Sequence, residues 1–172
     1  KKIKSKELSA LEAANAYGGR IKKSKKLNTF VTETLDQALV SAKNIDDNNL
    51  KSGVLAGAPI AVKDLFCTKN VQTTASSKIL KNFIPPYEST VTSKLWDSGA
   101  ILLGKLNCDE FAMGSSNETS AYGNVVNPYQ KNGENLVPGG SSGGCSSAVS
   151  ANLTSSTVGT DTGGSIRQPA SF

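Results

Sequence analysis

The chain has 172 residues, of which 37% are hydrophobic and 19% charged, with a formal net charge of +5; that is enough for one buried core, and the composition fits neither a disordered chain nor a membrane protein. No run approaches the roughly 20 apolar residues a bilayer span needs, and the basic start KKIKSKELSALEAANAYGG lacks the apolar stretch and cleavage site of a secretory signal, so a cytoplasmic location is expected. Three widely spaced cysteines, Cys67, Cys108 and Cys145, and the absence of histidine exclude a CxxC zinc set and any Ser-His-Asp or Cys-His arrangement, so a general base must be Lys, Asp, Glu or Tyr.

In chain order, residues 7–17 place Leu8, Leu11 and Ala14 on one helical face, and Gly18 and Gly19 weaken or end that helix. The basic cluster that follows, Arg20, Lys22, Lys23, Lys25 and Lys26, reads as a solvated helix end rather than a nucleic-acid contact. NTFVT (28–32) suits a short strand, and residues 33–44 carry Leu35, Ala38, Leu39 and Ala42 at helical spacing. The stretch DDNNLKSG (46–53) reads as a turn. GAPIAVKDLF (57–66) suits a buried strand in which Ala61 and Lys63 point one way and Ile60 and Val62 the other, putting one lysine in apolar company. Ser89 stands as an N-cap for a helix carrying Val91 and Leu95, Gly99 stands where that helix should stop, and AILLGKLN (100–107) is a second buried strand. This alternation predicts an α/β domain with a largely parallel sheet.

The stretch VPGGSSGGCSSAVSANLTSSTVGTDTGGSIRQP (137–169) begins like a flexible spacer. Cys145, Ala148, Val149 and Leu153 nevertheless fall on one helical face directly after GGSSGG, and STVG (156–159) reads as a short strand, so a pure linker is a poor reading. A phosphate-binding loop fits little better, because Cys145 stands where the P-loop lysine belongs and no GxGxxG is present. The remaining reading is acyl transfer, with serines held in glycine turns and a lysine on a strand. A serine hydroxyl needs a neighbour to take its proton, and glycines let backbone N–H groups converge on an oxyanion. Lysine serves only when neutral; moving its pKa from about 10.4 to about 7 costs roughly 4–5 kcal/mol, which burial can impose. Lys63 is the lysine best placed for this, with Lys105 its one competitor.

Together, GAPIAVKD, GKLNCDEFAMGSSNETSAYGNVVNP, PGGSSGG and GTDTGGSIRQPASF resemble the amidase signature family of Ser-Ser-Lys amide hydrolases. Ser141 and Ser165 stand 24 residues apart, the spacing of the two serines in that family. The resemblance implies a mixed, largely parallel sheet flanked by helices, of which this chain is the N-terminal portion: a helical start over 1–50 and a catalytic core over 51–172. It implies Lys63 as base, Ser141 as bridging serine after a cis Gly140–Ser141 bond, Ser165 as nucleophile, and Thr162, Gly163, Gly164 and Ser165 as the oxyanion loop.

Within the family, DEFAMGSSNETSAYGNVVNP is most similar to the glutaminase branch that serves tRNA-dependent amidotransferases. That implies glutamine as substrate, partner subunits B and C in a heterotrimer, and ammonia delivered to misacylated Glu-tRNA(Gln) or Asp-tRNA(Asn). No cofactor is expected on this chain; ATP and Mg belong to the B subunit. Residues that bind the glutamine α-amino and carboxylate groups are expected beyond Phe172, and activity of this portion alone is not expected. The competing readings are a stand-alone amidase for other amides and a non-catalytic tRNA- or anion-binding unit.

Other readings concern neighbouring residues. Lys63 could instead be a strand lysine paired with Asp64 or Asp161, and the serines could simply form turns. Asp161 is expected to accept hydrogen bonds that order its loop, with Arg167 as structural support. Cys145 reads as a small core residue. Gly114, Ser115 and Ser116 either line the amide pocket or form a plain turn.

Overall fold

The computed structural model describes residues 2–48 and 53–172; most of the expected 46–53 turn, including residues 49–52 and the 50/51 boundary, lies outside the described residues. Helix α1 (Ala10–Lys23) opens with a reciprocal cap: the Ser9 hydroxyl accepts from the Glu12 N–H at 3.0 Å, and the Glu12 carboxylate accepts from the Ser9 N–H at 2.8 Å. The Asp46 carboxylate accepts from the next two amides, Ala10 and Leu11, at 3.0 and 2.9 Å. With its first turn satisfied the helix does not end at Gly18 and Gly19, as the sequence suggested, but runs on to Lys23. Gly18 is buried against Leu35, so tertiary packing outweighs the roughly 1 kcal/mol that each mid-helix glycine costs. Arg20, Lys22 and Lys23 occupy the last turn, where the helix dipole favours cations.

A 3-10 turn (Lys25–Leu27) and the left-handed Asn28 lead into β1 (Phe30–Glu33), followed by α2 (Leu35–Asp47), which buries Ala38, Ala42 and Ile45. Strand β2 (Pro59–Lys63) is buried at all five positions. The Ser89 hydroxyl caps α3 (Thr90–Asp97), Gly99 follows with φ 87°, and β3 (Ile101–Leu106) begins two residues later. Helix α3 buries Thr92 while Val91 is exposed, so its apolar spacing does not mark its inward face. Helix α4 (Gly143–Ser150) starts inside GGSSGG and buries Cys145 and Ala148; Val149 is exposed, and Leu153 joins the core from beyond the helix. Strand β4 (Thr157–Val158) and the short α5 (Arg167–Ala170) complete the described elements, with Pro169 inside α5 rather than ending the fold.

The sheet order is β1-β3-β2-β4, with β1 antiparallel to β3 and both β3 and β4 parallel to β2. This is the mixed, largely parallel α/β sheet flanked by helices that the sequence predicted. One apolar core joins Ile101, Leu103 and Leu106 of β3 and Ala61 of β2 to residues of α1, α2 and α4. Because β2, β3 and β4 run in the same direction, their carboxyl ends emerge together, the edge where open α/β sheets bind ligands. Lys63 ends β2, Asn107 to Asp109 follow β3, and Gly159 and Thr160 follow β4.

Two alanine substitutions separate the roles of the glycines. A Cβ at Gly19 meets nothing within 4 Å, so Gly19→Ala is expected to stabilise the protein by about 0.5–1 kcal/mol. A Cβ at Gly144 would run into the Asn107 carbonyl and sit 2.9 Å from the Thr29 carbonyl, so Gly144→Ala is expected to destabilise by about 1–3 kcal/mol. Denaturant unfolding of both variants checks the opposite signs.

Candidate active site

Lys63 is fully buried, and its Nζ lies 2.7 Å from Ser141 Oγ, 3.0 Å from Ser142 Oγ and 2.9 Å from Thr160 Oγ1. The Ser142 hydroxyl donates onward to the Thr160 carbonyl at 3.2 Å, so it receives a proton from the amine. Burial pushes the Lys63 pKa below the ordinary lysine value. No ion pair offsets this among the described residues. An uncharged amine has two N–H donors and one lone pair, and the three hydroxyls can satisfy all three.

The second buried lysine is not interchangeable with the first. Lys105 Nζ donates to the Phe66 carbonyl and the Thr73 hydroxyl, both at 2.6 Å, and stands 3.7 Å from the Asp64 carboxylate, an ion-pair distance too long for a hydrogen bond. Asp64 turns its other oxygen to the Thr74 N–H, the Thr74 hydroxyl and the Ser76 N–H. Lys105 and Asp64 therefore fasten the 66–77 loop to the sheet edge, and Lys105 touches neither Ser141 nor Ser165. Burial lowers Lys105 to about 8 and raises Asp64 above its ordinary value.

Ser141 follows a cis Gly140–Ser141 peptide. Its carbonyl accepts from the Asp109 N–H at 3.2 Å, and the Ser142 N–H donates to the Ser165 carbonyl at 3.1 Å. Ser165 is thereby held beside the Ser141–Ser142 turn, half-buried, and its hydroxyl makes no hydrogen bond among the described residues. Asp161 orders the loop between them: its carboxylate accepts from the backbone N–H groups of Gly164, Ile166 and Arg167 and is gripped at both oxygens by the Arg167 guanidinium. These contacts hold Asp161 well below the usual carboxylate range, the Arg167 side chain being the largest cause. Since Gly164 N–H is bound to Asp161 at 2.8 Å, it is not available to an oxyanion in this conformation, unlike the amides of Thr162, Gly163 and Ser165. Neither Asp64 nor Asp161 pairs with Lys63, which removes the strand-lysine reading.

Gly114 and Ser115 are exposed and Ser116 is half-buried. They wrap the buried Asp109, and a Cβ at Gly114 would enter its carboxylate. Asp109 accepts from the Asn117 N–H at 3.0 Å and from the Thr119 N–H and hydroxyl at 3.3 and 2.9 Å, so this loop is built around a carboxylate. The sequence reading did not single out Ser142, Thr160, Asp109, Asn107 or Gln168. Ser142 and Thr160 stood inside the quoted glycine motifs, where hydroxyls spaced around one buried amine were the available signal. Asn107 and Asp109 gave only a weaker one, polar side chains directly after an apolar strand.

A cavity of about 270 Å³ opens beside Ser142, bordered by Cys145, Val149, Ile166 and Phe172. Burial pushes the Cys145 thiol up to about 12 and the Cys108 thiol up to about 11; both are free cysteines. Among the described residues no cluster of three or more His, Cys, Asp or Glu side chains could hold a metal ion, and no helix is long and apolar enough to cross a membrane.

Fold and site together define an α/β protein that carries a buried serine–lysine pair at the carboxyl edge of its parallel strands. The chain belongs to the Amidase family, whose sequence profile matches residues 12–172. It is 64% identical, over its whole length, to the A subunit of glutamyl-tRNA(Gln) amidotransferase from Pelagibacter ubique (strain HTCC1062), covering 35% of that protein. It is 57% identical to the corresponding protein of Bradyrhizobium sp. (strain BTAi1 / ATCC BAA-1182), again over its whole length and covering 36% of that protein. Among solved structures, the A subunit of glutamyl-tRNA(Gln) amidotransferase from Thermotoga maritima superposes with a TM-score of 0.75 at 34% identity, over 95% of this chain and 36% of that one. A crystal structure of an amidase superposes with a TM-score of 0.88 at 31% identity, over 99% and 39%. The chain thus spans about a third of the length of the curated relatives it matches.

The Lys105–Asp64 pair yields a stability prediction. Lys105→Met leaves a buried carboxylate uncompensated and is expected to destabilise the protein by about 3–5 kcal/mol, with Asp64→Asn/Lys105→Met recovering part of the loss. The sign with pH follows from the lowered lysine. Between pH 8 and 10.5 the folded state gives up a proton that the unfolded chain keeps, so this lysine's contribution to stability rises with pH across that window and is flat below it. The gap between wild type and Lys105→Met should widen there by about 3 kcal/mol, read from urea unfolding at each pH.

Proposed function

We propose that this chain carries the base, relay and nucleophile of a glutaminase, the A subunit of a tRNA-dependent amidotransferase, and that it hydrolyses the side-chain amide of glutamine. The observation that carries the reading is the buried Lys63 amine, 2.7 Å from the Ser141 hydroxyl, without a carboxylate partner among the described residues. In its neutral form the amine accepts the Ser141 proton, Ser141 takes the proton of Ser165, and Ser165 Oγ attacks the amide carbon. The amides of Thr162, Gly163 and Ser165 face the developing oxyanion. The proton held on Lys63 returns through Ser141 to the departing nitrogen, ammonia leaves, and water, deprotonated along the same route, releases glutamate and restores Ser165. The names of the relatives support glutamine as the amide donor and Glu-tRNA(Gln) as acceptor. They also support assembly with B and C subunits, the B subunit using ATP and Mg. The cytoplasm is the compartment consistent with that assembly, and the acceptor could equally be Asp-tRNA(Asn).

The test uses the full-length protein with its proposed partner subunits. Lys63→Ala, Ser141→Ala and Ser165→Ala should each lower kcat for glutamine hydrolysis by about a thousandfold or more. Lys63→Arg should be equally inactive, because a guanidinium stays protonated. A glutamine-like electrophile should label Ser165. Retained activity in Lys63→Ala, or label on another residue, overturns the assignment, and turnover of simple amides without stimulation by the partner subunits and ATP favours a stand-alone amidase. The pH profile has a definite sign: the active form of Lys63 is neutral, so the rate falls as pH drops through its pKa. Because burial lowers that pKa, the midpoint should lie below the ordinary lysine value of about 10.4.

A further inference from the structure

The Ser141 backbone is held from three sides. The Gly140 N–H donates to Gln168 Oε1 at 2.9 Å, the Ser141 carbonyl accepts from Asp109, and the Ser142 N–H donates to the Ser165 carbonyl. Two of these three bonds come from the segment that bears the proposed nucleophile. The opposite end of the same carboxamide, Gln168 Nε2, donates to the Ser115 carbonyl at 3.0 Å. Gln168 is itself pinned, its N–H to the Gly164 carbonyl at 2.8 Å and its carbonyl accepting from the Ser171 hydroxyl at 2.7 Å.

The packing leaves this junction little slack. A Cβ at Gly139 would lie 2.7 Å from Pro169 Cα and 2.8 Å from Gln168 Oε1, and one at Gly140 would lie 2.8 Å from the Ser116 N and 2.9 Å from the Ser115 carbonyl carbon. Three segments, the 114–116 loop, the 139–142 turn and the 164–171 turn, therefore meet at one side chain that must accept at one end and donate at the other. Glutamine does both; glutamate can accept but not donate, and methionine can do neither.

We infer that Gln168 is a positioning residue: by accepting from the Gly140 N–H and donating to the Ser115 carbonyl, it fixes Ser141 relative to Lys63 and ties the 114–116 loop to the segment bearing Ser165. The inference rests on the glutaminase reading above. Gln168 touches none of the reacting groups, so its effect is on geometry, where a displacement of about 1 Å can lower a rate about a hundredfold.

The experiment compares Gln168→Met and Gln168→Glu with wild type in the full-length protein assembled with its proposed partners, measuring kcat and KM for glutamine hydrolysis and the thermal midpoint. Gln168→Met should lower kcat about 10- to 100-fold, with KM within about threefold and the midpoint within a few degrees. Gln168→Glu, which keeps the acceptor for Gly140, should recover at least about threefold of that loss. A Gln168→Met enzyme within twofold of wild-type kcat overturns the inference, as does a glutamate variant no better than the methionine one. Lys63→Ala and Ser165→Ala, assayed in parallel, separate the two failures: if they are inactive while Gln168→Met is normal, only the positioning role falls, and if they remain active the glutaminase reading falls with it.

Discussion

The structure is organised around one uncharged amine. Placing Lys63 at the end of a fully buried strand removes it from water, and three carboxylates in the same part of the molecule could have restored its charge. Each is occupied elsewhere. Asp64 faces Lys105 and the Thr74–Ser76 backbone, Asp109 is spent on Asn117 and Thr119, and Asp161 on Arg167 and its own loop. Lys63 is left with hydroxyls, which satisfy a neutral amine without stabilising an ammonium as a carboxylate would. The lowered pKa is thus a property of how the acids are distributed, as much as of depth.

That distribution depends on the loops that follow the parallel strands, and these are held by side chains with every polar atom engaged. Asn107 shows the pattern: its Oδ1 accepts from the Ser76 and Ser120 hydroxyls, its Nδ2 donates to the Asn28 and Gly123 carbonyls, and its own carbonyl accepts from Gly144. One buried amide thereby joins the entrance to β1, two long loops and the start of α4. Such fully satisfied networks fix one arrangement because every alternative leaves a buried donor or acceptor bare. The glycines of GGSSGG serve the same end by close approach; Gly140, Gly143 and Gly144 sit where a methyl group would strike Asp109, Asn117 or Asn107.

The strands and helices near the site were legible because their signals are local: the apolar run ending at Lys63, the Ser89 cap, the helical face after GGSSGG. The sheet class followed from their alternation. What escaped was set by distant contacts. Nothing within ELSALEAANAYGG says that Asp46 will cap α1 or that Leu35 will cover Gly18, so the helix outran its glycines. Nothing near Lys105 says that it faces Asp64 while Lys63 faces Ser141, since both are lysines in apolar strands; their division of labour is a matter of register, with Lys105 opposite Val62 and Lys63 opposite Leu106. Gly164 was read from its motif as a free amide, and only the path of the loop shows Asp161 accepting from it.

Two thiols complete the electrostatic picture. Cys108 and Cys145 lie close enough to Lys63 to interact with its charge, and cysteine is intrinsically the stronger nucleophile when ionised. Burial moves these groups in opposite directions, because it disfavours the charged form of each: the amine titrates lower, the thiols to about 11 and about 12. At any pH where Lys63 is neutral but still below those values, the thiols hold their protons and the amine is the group free to accept one. The same apolar surroundings that prepare the lysine silence its sulfur neighbours, which leaves the serine hydroxyls as the groups from which a proton can be drawn.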